Sequence, residues 1–257
     1  MNAIEIAISH KRTLIGKERA RYFPTLAEMR QNGVPKWEFH VHSDHSDGRS
    51  DIDAIIREAQ EQGLAQLAIT EHTEEDLVAG PGWFGIYKAD IERARSKLPP
   101  GLTLHMGLEV PVMDDHGHLE LTEQMWQQCE FILGAVHAYP GFGWFKDHHI
   151  EDYDAIEREH RALMGLAGNP MVDAIAHPGG ICNRFITPFP WELLEEVIIK
   201  AVANGIAIEW NPAYFDDAHT FLSLCEKHNA RICLGSNAHA PEQMGSAWQT
   251  VERFLAG

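Results

Sequence analysis

The sequence predicts an α/β fold: a closed or partly closed barrel of seven parallel strands, (β/α)7, preceded by an N-terminal helical extension. Three observations predict it. Seven strand-like runs recur along the chain, amphipathic helical stretches separate them, and the runs are almost continuously apolar. Strands alternating with helices imply a parallel sheet, and continuous apolar strands imply burial on both faces.

The elements follow in order. Residues 1–36 carry helical periodicity, broken at Pro24 and closed at Gly33. They are expected to pack outside the domain or to form an interaction arm. The barrel is expected over 37–257. Its strand-like runs are 37–42, 64–70, 102–110, 130–136, 171–176, 205–210 and 231–236. After the first, Ile52, Ile55, Ile56 and Ala59 form an i, i+3, i+4, i+7 stripe, with Asp51 as N-cap and Gly63 as stop. "PWELLEEVIIKAVANG" repeats the design. "YDAIEREHRALMGLAG", "DAHTFLSLCEKHN" and "PEQMGSAWQTVERFLAG" supply the other helices. Segments 79–88 and 138–149 mix glycine with large aromatics and are expected to be loops that line or cover a cleft. No GxGxxG follows a strand-like run, no GxxxxGK[ST] occurs and no GxSxG elbow is evident, which argues against dinucleotide, P-loop and acyl-enzyme chemistry.

Composition narrows the partners. The chain has 257 residues, enough for one large α/β domain, and no linker or repeat divides it. A formal net charge of -17 argues against long nucleic acid or an anionic membrane as partner. It leaves room for a small anionic substrate held by local positive charge, which metal ions would supply. No apolar run is long enough to span a bilayer, and the N-terminus lacks the apolar core of a signal peptide. Cys129, Cys182, Cys225 and Cys233 lack CxxC spacing and read as free thiols of a reducing compartment, so a cytoplasmic setting is expected. Sixteen histidines is the odd count, and no histidine run explains it.

In a parallel barrel the site gathers at the carboxyl ends of the strands. His40 and His42, spaced i, i+2 for one face, end the first run, with Asp47 in the loop beyond. His72 ends the second, Glu109 the third, His137 the fourth, His177 the fifth, Glu209 and Asn211 the sixth, Asn237 and His239 the seventh. His118 follows the third. A lone histidine at a strand end is usually structural; seven runs obeying one rule are not explained that way.

Taken in order, "HVHSDHSDG", "ITEH", "GLEV", "GAVH", "AHPGG", "IEWN" and "LGSNAH" resemble the motif series of the PHP (polymerase and histidinol phosphatase) family, over about residues 37 to 257. The resemblance implies a distorted seven-stranded, TIM-like (β/α) barrel with two to three divalent ions at its carboxyl rim. It implies that His40, His42, Glu109 and the residue at 237 share one ion. Asp47, His72 and His239 would hold a second. Glu109, His118 and His137 would hold a third, with Glu109 bridging. These residue types suit zinc, manganese or iron. His118 is preferred to His116 because it opens the apolar "LEL" run; His45 is taken as substrate-facing or solvated. One departure stands out: Asn237 occupies a place where the family usually has Asp. The site works with Asn, holds fewer metals, or belongs to a degenerate member.

Clustered divalent ions suit phosphoester hydrolysis by a metal-activated hydroxide. His177 is a candidate proton donor or phosphate contact, or a histidine fixed by its "HPGG" turn. Arg184 is a candidate phosphate ligand or a surface arginine. The expected activity is a metal-dependent phosphatase on a small phosphorylated metabolite. The alternatives are a phosphodiesterase or exonuclease on nucleotides or short oligonucleotides, and a non-catalytic metal- or partner-binding module supported only by Asn237.

Overall fold

A computed structural model describes residues 21–143 and 150–257. Seven parallel strands run in sequence order: β1 (Trp37–Glu38), β2 (Gln66–His72), β3 (Thr103–Pro111), β4 (Phe131–Ala135), β5 (Ala174–Ile175), β6 (Ala207–Trp210) and β7 (Ile232–Leu234). Beyond β1 and β7 the two edges meet. Phe39 N donates to the Leu234 carbonyl at 2.9 Å, and His42 N donates to the Ala238 carbonyl at 2.9 Å. This nearly closes the ring, as the alternation of strands and helices predicted.

The helices are α1 (Leu26–Asn32), α2 (Ile52–Glu61), α3 (Trp83–Arg95), α4 (Glu123–Gln128), α5 (Asp152–Leu166), α6 (Gly180–Phe185), α7 (Trp191–Ala203), α8 (Ala218–Lys227) and α9 (Ser246–Ala256). Asp51 caps α2 as expected, accepting from Ala54 N at 2.7 Å, and Ile52, Ile55 and Ala59 are buried beneath it. Among the described residues no helix is long and apolar enough to cross a membrane.

The two-residue period of a strand sorts its side chains. Leu67, Ile69, Leu104, Met106, Leu108, Ile132, Ile175, Ile208 and Ile232 join the large core between sheet and helices. Ala68, Phe131, Leu133, Ala135, Ala174, Ala207 and Cys233 form a second cluster with Phe23 and Phe39. Continuing the same faces upward by twos leads from Ala68 to His72, from Phe131 to His137, and from Ala207 to Glu209. Small residues fill the middle, three phenylalanines fill one end, and ionisable groups take the other. Phe23, fully buried, meets Phe39 and Phe131 edge-on with centroids 6.0 and 5.6 Å apart. Part of the expected N-terminal extension is therefore integral to the barrel's floor; residues 1–20 lie outside the described residues.

Segment 79–88 corrects an expectation. It is not a lid loop, because α3 starts at Trp83. Trp83, Phe84 and Tyr87 are buried, and Tyr87 Oη donates to the Ile69 carbonyl at 2.7 Å. The aromatics are spaced for a helix face, and the Pro81–Gly82 turn before them disguised its start. Of segment 138–149, Tyr139 is buried; Trp144 to His149 lie outside the described residues.

Glu159 on α5 is buried and accepts from Cys182 N at 2.7 Å and Ile181 N at 3.2 Å, tying down the first turn of α6. Burial pushes its carboxyl above the ordinary value of 4.5, against these hydrogen bonds. A raised native pKa means the unfolded chain ionises first. Stability from this group is full below about 4.5 and is lost as pH rises toward the native value. Glu159→Gln is expected to flatten that part of the stability profile, read as the urea midpoint of wild type minus variant across pH. A difference that does not change with pH would contradict it.

Candidate metal centre

Glu109, at the end of β3 and fully buried, is the hub. In register it lies beside His72 on β2. Five imidazoles converge on its two oxygens. Oε2 is 3.2 Å from His40 Nε2, 3.4 Å from His42 Nε2 and 3.4 Å from His72 Nδ1. Oε1 is 3.0 Å from His137 Nε2 and 2.7 Å from His177 Nε2. Burial pushes the carboxyl up, but the charges of His40 and His137 outweigh it and hold the group well below the usual carboxylate range. The imidazoles split. Burial depresses both, yet Glu209 and Glu109 raise His40 well above its ordinary value. Burial, with the charge of His72, drives His42 well below.

Asp47 returns from the turn after β1. Its Oδ1 is 3.5 Å from His72 Nε2, and its Oδ2 is 3.1 Å from His239 Nε2. The turn is fixed from beneath by buried Glu71, which accepts from Ser43 N at 3.1 Å and from the hydroxyls of Ser43 and Ser46. Gly48 is required there, since a Cβ would come 2.3 Å from the His42 carbonyl oxygen. Asn237 Oδ1 is 2.9 Å from His42 Nε2. His177 and Asn237 both hold positive φ, 28° and 51°, a conformation non-glycine residues keep only when their surroundings enforce it.

Three groups of donor atoms lie close enough to share an ion: His42, Asp47, His72 and His239; His40, His42 and Glu109; His72, Glu109 and His137. Buried His42 Nδ1, His72 Nδ1 and Glu109 Oε2 have no hydrogen-bond partner. Nitrogen and carboxylate donors crowded together, some unsatisfied, match what a divalent cation needs. The residues present therefore fit metal ions.

Nine positions were expected as ligands, and the structure brings eight of them together. His118 is the exception: its side chain is 77% exposed and pairs with Asp114 at 2.6 Å. Nearness in sequence to Glu109 misled, because the chain turns outward after β3. Glu74 lies at that side of the cluster instead, 2.5 Å from His137 Nδ1 and 3.6 Å from His72 Nδ1. Burial opposes its charge, but the bonds to His137 and His72 pull its carboxyl down to about 2. A carboxylate on the far nitrogen orients an imidazole for a metal. Glu74→Ala is expected to lower metal occupancy roughly 10-fold at limiting metal, while His118→Ala keeps the wild-type content; elemental analysis of both variants decides.

Glu209 holds His40 Nδ1 at 2.6 Å and accepts from His177 N at 2.6 Å. His177 directs its Nε2 at Glu109 Oε1, 2.7 Å away, and its ring is buried in the cage wall. His45 corrects the solvated or substrate-facing reading: it is buried, with Nε2 3.1 Å from Asp90 on α3. Beside the cage lies an open pocket of about 1130 Å³, lined by Arg49, Arg184, Tyr214, Asn237, His239 and Gln243 among others. Arg184 lies over the Tyr214 ring at 4.2 Å. Neither Arg49 nor Arg184 has a carboxylate partner among the described residues. Sequence reasoning missed Glu74, Arg49 and Tyr214. Only the acidic run after "ITEH" hinted at the first.

The family profile described as "PHP domain" matches residues 38–213. A protein of Acetivibrio thermocellus named "Probable phosphatase" is 28% identical over 206 residues, 76% of each chain. One of the same name from Syntrophotalea carbinolica is 25% identical over 231 residues, 85% of this chain and 86% of that protein. The crystal structure of histidinol phosphate phosphatase from Lactococcus lactis, complexed with zinc, L-histidinol and phosphate, superposes with a TM-score of 0.65 at 19% identity. The match covers 86% of this chain and 92% of that one, a likeness of fold.

Proposed function

This chain belongs to the PHP domain family and is a metal-dependent phosphoesterase, and from that premise we propose that it is a phosphatase of a small phosphorylated metabolite. The observation that carries the reading is the junction of donor cluster and pocket: groups sharing Glu109 stand beside a cleft that presents Arg49 and Arg184.

His40, His42, Asp47, His72, Glu109, His137, Asn237 and His239 would hold the ions, with Glu74 and Glu209 orienting His137 and His40. Divalent ions, when bound, acidify water and offset the charge of a phosphoryl group. The chain's own residues do the rest. Arg49 and Arg184 draw a phosphate into the pocket against the protein's overall negative charge. Guanidinium groups match phosphate oxygens in pairs, which orients the ester. His177 holds Glu109 in place through Nε2. The pocket has room for an organic group beside the phosphate, and its open mouth suits a small molecule.

The test is elemental analysis of the purified protein together with turnover of a panel of phosphomonoesters and phosphodiesters. Bound divalent metal with phosphomonoester turnover, abolished by a chelator and restored by metal, is expected. Preference for diesters would shift the reading to a phosphodiesterase. Metal without turnover of either class would leave a binding module.

A further inference from the structure

Tyr214 follows β6 and is held on every side. Its ring stacks on His177 with centroids 4.3 Å apart, and the Arg184 guanidinium covers it at 4.2 Å. Its carbonyl accepts from Asn183 Nδ2 at 2.5 Å. Gly180 leaves the necessary space, since a Cβ there would come 2.4 Å from Tyr214 Cδ1. The hydroxyl end reaches Asn237, whose Nδ2 is 3.4 Å away, and the residue lines the pocket beside the cage.

A primary amide has one acceptor atom and one donor group. Asn237 Oδ1 faces His42 on the cage side. Only that oxygen can ligate a cation, so the NH2 group must face Tyr214. The amide then donates to the phenol oxygen, and the phenol proton is left to find another acceptor. No described residue accepts it. A carboxylate at 237 would do the reverse, accepting the phenol proton and turning it away from the pocket.

We propose that the Tyr214 hydroxyl donates a hydrogen bond to a phosphoryl oxygen of the substrate, and that Asn237 is the positioning residue that frees its proton for that contact. This rests on the phosphoesterase reading above. The Asn that looks like a weakened metal ligand is, on this view, a means of aiming a donor.

The experiment uses the metal-loaded full chain, p-nitrophenyl phosphate as substrate, and inorganic phosphate as inhibitor and as titrant in calorimetry. Tyr214→Phe is expected to weaken phosphate binding roughly 10-fold or more, to lower kcat/KM at least as much, and to leave metal content unchanged. Asn237→Asp is expected to weaken phosphate binding similarly without losing metal. That variant also adds a negative charge, so the double variant is decisive. If Asn237 acts through Tyr214, Asn237→Asp has no further effect once Tyr214 is Phe. A loss that persists in the double variant reflects repulsion and overturns the positioning role. Wild-type phosphate affinity in Tyr214→Phe overturns the contact itself. Should that variant fail to fold, unchanged phosphate affinity in Asn237→Asp overturns the proposal alone. A wild type that binds phosphate but cleaves no monoester sinks the phosphatase reading and leaves this one standing; a wild type that binds no phosphate overturns it.

Discussion

Glu109→Gln is expected to lose metal from the two donor groups that share this carboxylate and to cut phosphoester turnover by at least about 1000-fold. Removing a group that merely orients a ligand costs about 10- to 100-fold, and Glu109 touches five imidazoles itself. Glutamine keeps the shape but not the charge, and it presents an NH2 group to nitrogens that need an acceptor. Two of the three donor groups lose their shared carboxylate. The third, around Asp47, keeps its donors, so residual metal is expected there. The metal-free fold suffers too, because removing one partner of a buried charge pair costs about 3–5 kcal/mol. Elemental analysis, turnover and the urea midpoint of metal-free protein measure the three effects. Full metal content with turnover within tenfold of wild type would refute the bridging role.

Gly235→Ala is expected to lower the stability of the metal-free protein by about 1–3 kcal/mol and to disable metal binding. A Cβ at 235 would stand 2.0 Å from Glu209 Oε1 and 2.7 Å from His40 Cβ. Both neighbours are fully buried, and neither has solvent to retreat into. Glu209 also anchors the backbone of His177 and the ring of His40, so its displacement releases both at once. Gly205, before β6, makes a control: it has nothing within 4 Å of its Cβ direction, and its positive φ of 67° alone sets the cost. A Gly235→Ala protein with unchanged midpoint and metal content would show that the rim relaxes freely.

Most of the rim was legible because strand geometry is periodic. His72, Glu109 and His137 fall where a two-residue period carries them, at the tops of β2, β3 and β4. The sequence could not reveal what depends on distance through space. Glu74 and Tyr214 stand out only by their neighbours in space, since a glutamate in an acidic run and a tyrosine two residues past a proline carry no pattern of their own. His118 shows the converse, a residue of the right type near the right strand whose chain turns it to solvent. Helix α3 was hidden by Gly80, Pro81 and Gly82 just before its first aromatic and by Gly85 among them, a composition that local reasoning assigns to a loop. β1 and β5 are only two residues long by ladder pairing, although their apolar runs are longer; burial extends beyond hydrogen-bond register.

The phenylalanine stopper at the lower mouth separates two boundaries that are easily taken for one. The family match begins at 38, and every candidate ligand lies beyond it, yet Phe23 seals the bore from upstream. A truncated chain starting at Trp37 would keep every candidate ligand and lose Phe23 from the plug beneath them, leaving Phe39 and Phe131. The space Phe23 leaves would let water reach the face of Phe39 and Phe131 that it covers, one layer below the alanines under the carboxylates and imidazoles. The smallest piece that contains the chemistry is thus shorter than the smallest piece that insulates it.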